Sequence, residues 1–250
     1  MIHSFLLMGQ SNMAGKGYIN DAEKIDANRI KILRNGQWQP MVRPINPDGE
    51  FSGVSLAESF AEQYSKKYNV DVGLICCAVG GTRIDQWAVG EPLYDNAIFQ
   101  AKLAMRTSAL AGVLWHQGEA DCFNGLHETY CDKLKKLITS VRKDIGIKDL
   151  PFVLGGLGES LKNTKLEEYK KYSEYVCECI KSVAASDELI GFASAEGLGS
   201  NPDNIHFNSK ALYEFGIRYF NEFEKLRKRD NLFDDTLYYE DSKRSYLESL

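Results

Sequence analysis

Phe5-Leu6-Leu7-Met8 runs directly into Gly9-Gln10-Ser11-Asn12-Met13-Ala14-Gly15. The apolar run reads as a first β-strand, and the glycine-flanked turn places a serine at its carboxyl end. Ligands of open α/β sheets bind at the carboxyl ends of strands, so a serine there is placed to act as a nucleophile. The competing reading of Ser11 is a helix N-cap. Far downstream lies Asp203-Asn204-Ile205-His206-Phe207, an acid and an imidazole with two residues between them. Nucleophile, orienting carboxylate and base thus occur in the chain order Ser, Asp, His.

Working outward, apolar runs alternate with amphipathic stretches. Residues 4–8, 71–78, 111–115, 151–157 and 189–193 read as strands. Residues 54–68, 96–110, 127–144, 166–185 and 209–227 carry apolar side chains at helical spacing. This alternation predicts a parallel sheet covered on both faces. Residues 15–53 read as a polar, turn-rich connection, with Asn46-Pro47-Asp48-Gly49 a strong turn signal. One domain is expected over 1–228. Residues 229–250 form a charged tail that reads equally as a helix, a docking arm or disorder.

The chain has 250 residues and a formal net charge of −5, which argues mildly against a phosphate-backbone partner, and no Lys/Arg cluster with interleaved aromatics marks a nucleic-acid binder. Its longest apolar stretch is far below the ~18 residues of a spanning helix. Met1-Ile2-His3 has no basic leader region, and a cytoplasmic location is expected. Six cysteines occur, without C-x-x-C spacing, and free thiols in a reducing compartment are expected. No metal or cofactor is called for by any motif.

Each chemistry-bearing segment falls where a strand ends. The Ser11 hydroxyl needs an adjacent base. His206 offers an imidazole, which accepts and returns a proton near neutral pH. Asp203 would hold its tautomer, and Asn201-Pro202-Asp203-Asn204 is turn chemistry that lets acid and base converge. Gly80-Gly81-Thr82-Arg83 ends the second strand with paired glycines that let a backbone N–H approach an oxyanion. His116-Gln117-Gly118-Glu119 ends the third, where Gln117 offers an amide donor and Glu119 a brace for the histidine or the serine loop. The Gly-x-Ser-x-Gly elbow is not matched, because position 13 is Met.

Four blocks together resemble the SGNH hydrolase superfamily: 9–15, Gly80-Gly81-Thr82-Arg83-Ile84-Asp85-Gln86-Trp87, 116–119 and 203–207. Within it they are most similar to the branch of sialate O-acetylesterases and family 6 carbohydrate esterases (acetylxylan esterases). The resemblance implies a three-layer α/β/α sandwich around a five-stranded parallel sheet. It also implies metal-free removal of O-acetyl groups from carbohydrates, with Ser11 as nucleophile, His206 as base and Asp203 as acid. It places the Ser11 and Gly81 amides and the Gln117 side chain in the oxyanion hole, Gly80 being an alternative to Gly81. Asn12 and Glu119 are assigned supporting roles.

Arg83 and Trp87, with the loop between Lys16 and Gly53, are expected to shape the sugar site; a place in the core is the other reading of Trp87. Without a leader or accessory domains, small acetylated saccharides are expected rather than polymers. Neither a nucleic-acid nor a membrane partner is expected. The alternatives are an SGNH lipase or thioesterase acting on longer acyl esters, and a carbohydrate-binding relative without catalysis. A flavodoxin-like nucleotide module lacks its phosphate fingerprint.

Overall fold

β1 (Ile2–Gly9) lies near the middle of a seven-stranded sheet in the computed structural model, which describes residues 1–227. The elements that follow are α1 (Ser11–Ala14), β2 (Ile30–Arg34), β3 (Gln37–Pro40), α2 (Leu56–Tyr68), β4 (Asp71–Cys76) and α3 (Pro92–Ala104). After these come β5 (Ala109–His116), α4 (Tyr130–Ile145), β6 (Phe152–Gly155), α5 (Glu167–Ala185), β7 (Ile190–Ala193) and α6 (Ser209–Arg227). The strand order is β3-β2-β4-β1-β5-β6-β7. Every pairing is parallel except β2 with β3. The expected tail, 229–250, lies outside the described residues.

The chain moves from β1 to β4 on one side and then to β5 on the other, so strand order reverses at β1. A crevice opens at such a switch point, at the carboxyl ends of the strands, and Ser11 follows β1 there. Side chains of β1 alternate between the two cores. Leu6 and Met8 pack with α3, α4 and α5, whereas Phe5 and Leu7 pack with α2 and α6. Three layers result, as expected.

The sheet has two strands more than expected. Ile30 and Ile32 are buried on alternate positions, and Asn35-Gly36 turns the chain with positive φ at both residues. That is the two-residue hairpin geometry that Asn-Gly favours. β2 therefore extends the parallel sheet beside β4, and β3 closes the edge antiparallel. The third helix also ends earlier than its spacing suggested. Ala109 and Leu110 pair with His3 and Ser4 and belong to β5.

The free-thiol expectation needs one correction, because Cys131 of α4 is bonded to Cys179 of α5, with Cα atoms 5.4 Å apart. The two helices pack side by side and bring these residues together from 48 positions apart. Cys76, Cys77, Cys122 and Cys177 are free. Among the described residues, no helix is long and apolar enough to cross a membrane.

Candidate active site

Gly9 sets the geometry of the serine turn. Its φ is +123°, and a Cβ would overlap the His116 carbonyl, which itself accepts the Gln10 amide at 2.8 Å. The end of β1 is thereby pressed against the end of β5. Ser11 opens the short α1 and is 4% exposed.

The base arrives from the other end of the chain. Asp203 Oδ1 accepts the amides of Ile205 (2.8 Å) and His206 (2.9 Å), closing a tight turn. Its Oδ2 lies 2.7 Å from His206 Nδ1, and His206 Nε2 lies 3.0 Å from Ser11 Oγ. Burial pulls the Asp203 carboxyl upward. The His206 and Ile205 amides and the His206 ring outweigh that pull and hold it below its ordinary value. A carboxylate anchored this way stays ionised beside the ring it orients.

Asn12 ties the two loops together. Its Oδ1 accepts the Phe207 amide at 3.0 Å, and its Nδ2 donates to the Ile205 carbonyl at 3.3 Å. The neighbour of the serine thus grips both neighbours of the histidine. The same Nδ2 donates to Glu119 Oε1 at 2.7 Å, so Glu119 braces the serine loop from below. Glu119 is 1% exposed and makes no direct contact with His206 in the hydrogen-bond network.

Two of the residues expected in the cleft stand elsewhere. Trp87 is fully buried, packs edge-on against Trp115, and donates its indole N–H to Thr82 Oγ1 at 3.1 Å. A ring in that position cannot stack on a ligand, so the core reading of Trp87 is correct. Gln117 is also fully buried. Its Nε2 donates to the Thr82 carbonyl at 2.9 Å and to Asp121 at 2.5 Å, with Gln10 Oε1 also within reach at 3.2 Å. Its two amide hydrogens are already committed, so it holds the 80–83 turn in place rather than facing the cleft.

The two glycines also separate. The Gly80 amide donates to Asp48 Oδ2 at 2.8 Å, whereas the Gly81 amide has no acceptor among the described residues. Asp48 is held in turn by Lys16 Nζ (2.8 Å) and Ser52 Oγ (2.9 Å). Arg83 lies exposed on the cleft wall with no carboxylate partner among the described residues.

No individual role was assigned to Lys16, Asp48, Gln10 or Asp121 from the sequence. Lys16 and Asp48 are polar residues of a turn-rich stretch, 32 positions apart, and carry no local signature. Gln10 accepts the amides of Gly118 and Ala120, both at 3.3 Å. Asp121 is fully buried, accepts the Ile84 amide at 3.0 Å, and is pushed up by burial to about 6.

The cleft has two lobes. One, of about 620 Å³, is walled by Ser11, Gly81, Arg83, Phe123 and Tyr169. The other, of about 750 Å³, lies under the 16–53 loop and reaches Asp203 and His206. His206, Gly80 and Lys16 border both.

A three-layer α/β/α sandwich with a serine and an imidazole meeting at the carboxyl edge of its sheet is the fold expected from the four sequence blocks. Solved structures with this fold include one from Arabidopsis thaliana, protein AT4G34215, with a TM-score of 0.79 and 24% identity over 89% of this chain and 97% of that one. NanS superposes with a TM-score of 0.70 at 17% identity, over 91% of this chain and 98% of its own. The carbohydrate acetylesterase XAC1771 from Xanthomonas citri gives a TM-score of 0.66 at 21% identity, over 87% of this chain and 54% of its own.

In sequence, the chain is 27% identical over 243 residues to the probable carbohydrate esterase At4g34215 of Arabidopsis thaliana, covering 85% of this chain and 86% of that protein. Residues 1–225 match the model of the carbohydrate esterase, sialic acid-specific acetylesterase family. The chain belongs to that family and is, by class, a carboxylic ester hydrolase.

Proposed function

We propose that Ser11, His206 and Asp203 form a catalytic triad that removes O-acetyl groups from carbohydrates through an acetyl-serine intermediate. The observation that carries this reading is the continuous chain Ser11 Oγ–His206 Nε2 (3.0 Å) and His206 Nδ1–Asp203 Oδ2 (2.7 Å) at the mouth of a cleft. Both distances are within hydrogen-bond reach, as proton transfer requires.

In the first step, His206 takes the Ser11 proton as Oγ bonds to the acetyl carbonyl carbon. The carbonyl oxygen becomes an oxyanion, for which the Ser11 and Gly81 amides are the donors. Gln117 contributes by fixing the Thr82 carbonyl and hence the Gly81 turn. The C–O bond to the sugar then breaks, and His206 returns the proton to the sugar oxygen. In the second step His206 deprotonates a water, which attacks the acetyl carbon and frees acetate and Ser11. Asp203 keeps the ring oriented and stabilises the imidazolium in both steps. Arg83 lines the same lobe as the nucleophile, which supports a role in contacting substrate.

The test is hydrolysis of p-nitrophenyl acetate by the wild type and Ser11→Ala. The reading requires a loss of at least ~10³-fold, in line with removal of a triad member; equal rates would end it. A series of acetyl, butyryl and octanoyl esters separates an acetylesterase from a hydrolase of longer acyl groups.

A further inference from the structure

The larger lobe contains two aromatic rings that the cores do not use. Tyr18 is 54% exposed and Phe51 is 79% exposed, and both line the lobe. Trp87, the ring expected to meet the sugar, is buried, so these two rings are the aromatic surface of this lobe. The lobe's charges are also distinctive. The Lys16 ammonium is committed to Asp48 at 2.8 Å, and Asp203 is committed to His206. Glu50 is exposed there and has no ion-pair partner among the described residues. The lobe therefore offers rings and a free carboxylate but no uncommitted cation.

The reaction assigns the lobe a role. The leaving oxygen receives its proton from His206 Nε2, so the alcohol part of the ester lies on the His206 side. The carbonyl oxygen turns instead toward the Ser11 and Gly81 amides, which border the smaller lobe. The volume of about 750 Å³ falls in the range of built ligand sites. The C–H faces of a pyranose are apolar and lie flat on aromatic rings, as other apolar faces do.

We infer that the lobe under the 16–53 loop receives the saccharide leaving group, and that its preferred occupant is a neutral pyranose stacked on Tyr18 and Phe51. Within this lobe a carboxylate-bearing sugar would meet Glu50 with no free cation to offset it, Arg83 standing on the wall of the smaller lobe. This inference rests on the acetylesterase reading above and extends it to the substrate class.

The experiment compares three esters: an acetylated xylo-oligosaccharide, an O-acetylated sialic acid and p-nitrophenyl acetate. The wild type is compared with Tyr18→Ala, Phe51→Ala, the double variant and Glu50→Gln. The expected result is that the double variant lowers kcat/KM for the xylo-oligosaccharide about tenfold more than for p-nitrophenyl acetate. Most of that loss should appear in KM. Tenfold corresponds to about 1.4 kcal/mol of lost contact. The wild type should show a lower KM for the neutral substrate than for the acidic one, and Glu50→Gln should narrow that gap.

A ratio within twofold of wild type in the double variant would overturn the inference, as would a lower wild-type KM for the sialic acid ester. Failure of the underlying reading looks different: Ser11→Ala would then retain wild-type rates on all three esters.

Discussion

Replacing Asn12 by Ala should damage catalysis and stability together, because this one side chain holds the serine loop to the histidine loop. Asn12 is 1% exposed and makes three hydrogen bonds, to Phe207 N, Ile205 O and Glu119 Oε1. Truncation strips the buried Phe207 amide and the buried Glu119 carboxylate of these partners. Each orphaned buried group costs roughly 1–3 kcal/mol, so a total of about 3 kcal/mol is expected. For a chain of this size, 1 kcal/mol shifts Tm by about 2–4 °C, which gives a fall of about 6–12 °C. The 3.0 Å approach of His206 to Ser11 then loses its ruler. A misplacement of about 1 Å costs on the order of 10² in rate. We therefore expect kcat on p-nitrophenyl acetate to fall about 100-fold, with KM changed less than about threefold. Steady-state kinetics at a temperature where circular dichroism shows the variant folded is the assay. A kcat within about threefold of wild type in the folded variant would refute the argument that Asn12 sets the distance between nucleophile and base.

Three further outcomes are expected. Asp121 is raised by burial to about 6, so the folded state binds its proton more tightly than the unfolded chain, and stability falls as pH rises from about 4 to about 6. That window is worth on the order of 3 kcal/mol. Urea unfolding at pH 4.5 and 7 should show Asp121→Asn gaining on wild type at the higher pH, and parallel pH dependences would contradict this. Gly216 lies where α6 crosses α2, and a methyl there would overlap the Leu56 carbonyl and the Ser59 hydroxyl. Gly216→Ala should cost about 2 kcal/mol of overpacking and lower Tm by about 4–8 °C while leaving kcat of the folded fraction near wild type; an unchanged melting curve would show that the helices part freely. Gln117→Ala should release the Thr82 carbonyl and lower kcat about 10-fold or more through the Gly81 turn. A loss of Tm with unchanged kcat would reduce Gln117 to a purely structural residue.

The architecture was legible where the pattern is local. The strand before Ser11, the helix Ser209–Arg227 and the Asn-Pro-Asp-Asn turn before His206 each announce themselves within a few residues. The hairpin of β2 and β3 carried the same kind of signal, Ile30 and Ile32 alternating before Asn35-Gly36, but short strands inside a polar stretch are easily read as turns. Side-chain direction was not legible. A motif states that a tryptophan stands at 87 and a glutamine at 117, not that both point inward. The Lys16–Asp48 pair and the Cys131–Cys179 bond join distant elements, and only the packed fold brings such partners together.

The central claim is that Ser11 carries the acetyl group during turnover. Rapid quenching of the enzyme with p-nitrophenyl acetate, followed by peptide mass spectrometry, reads it directly. The account predicts one acetyl on the peptide containing Ser11 in wild type, accumulating in His206→Ala only if a slower route to acylation remains, and none in Ser11→Ala. Turnover at the wild-type rate by Ser11→Ala, with no acetylated serine at that position in the wild type, would contradict it.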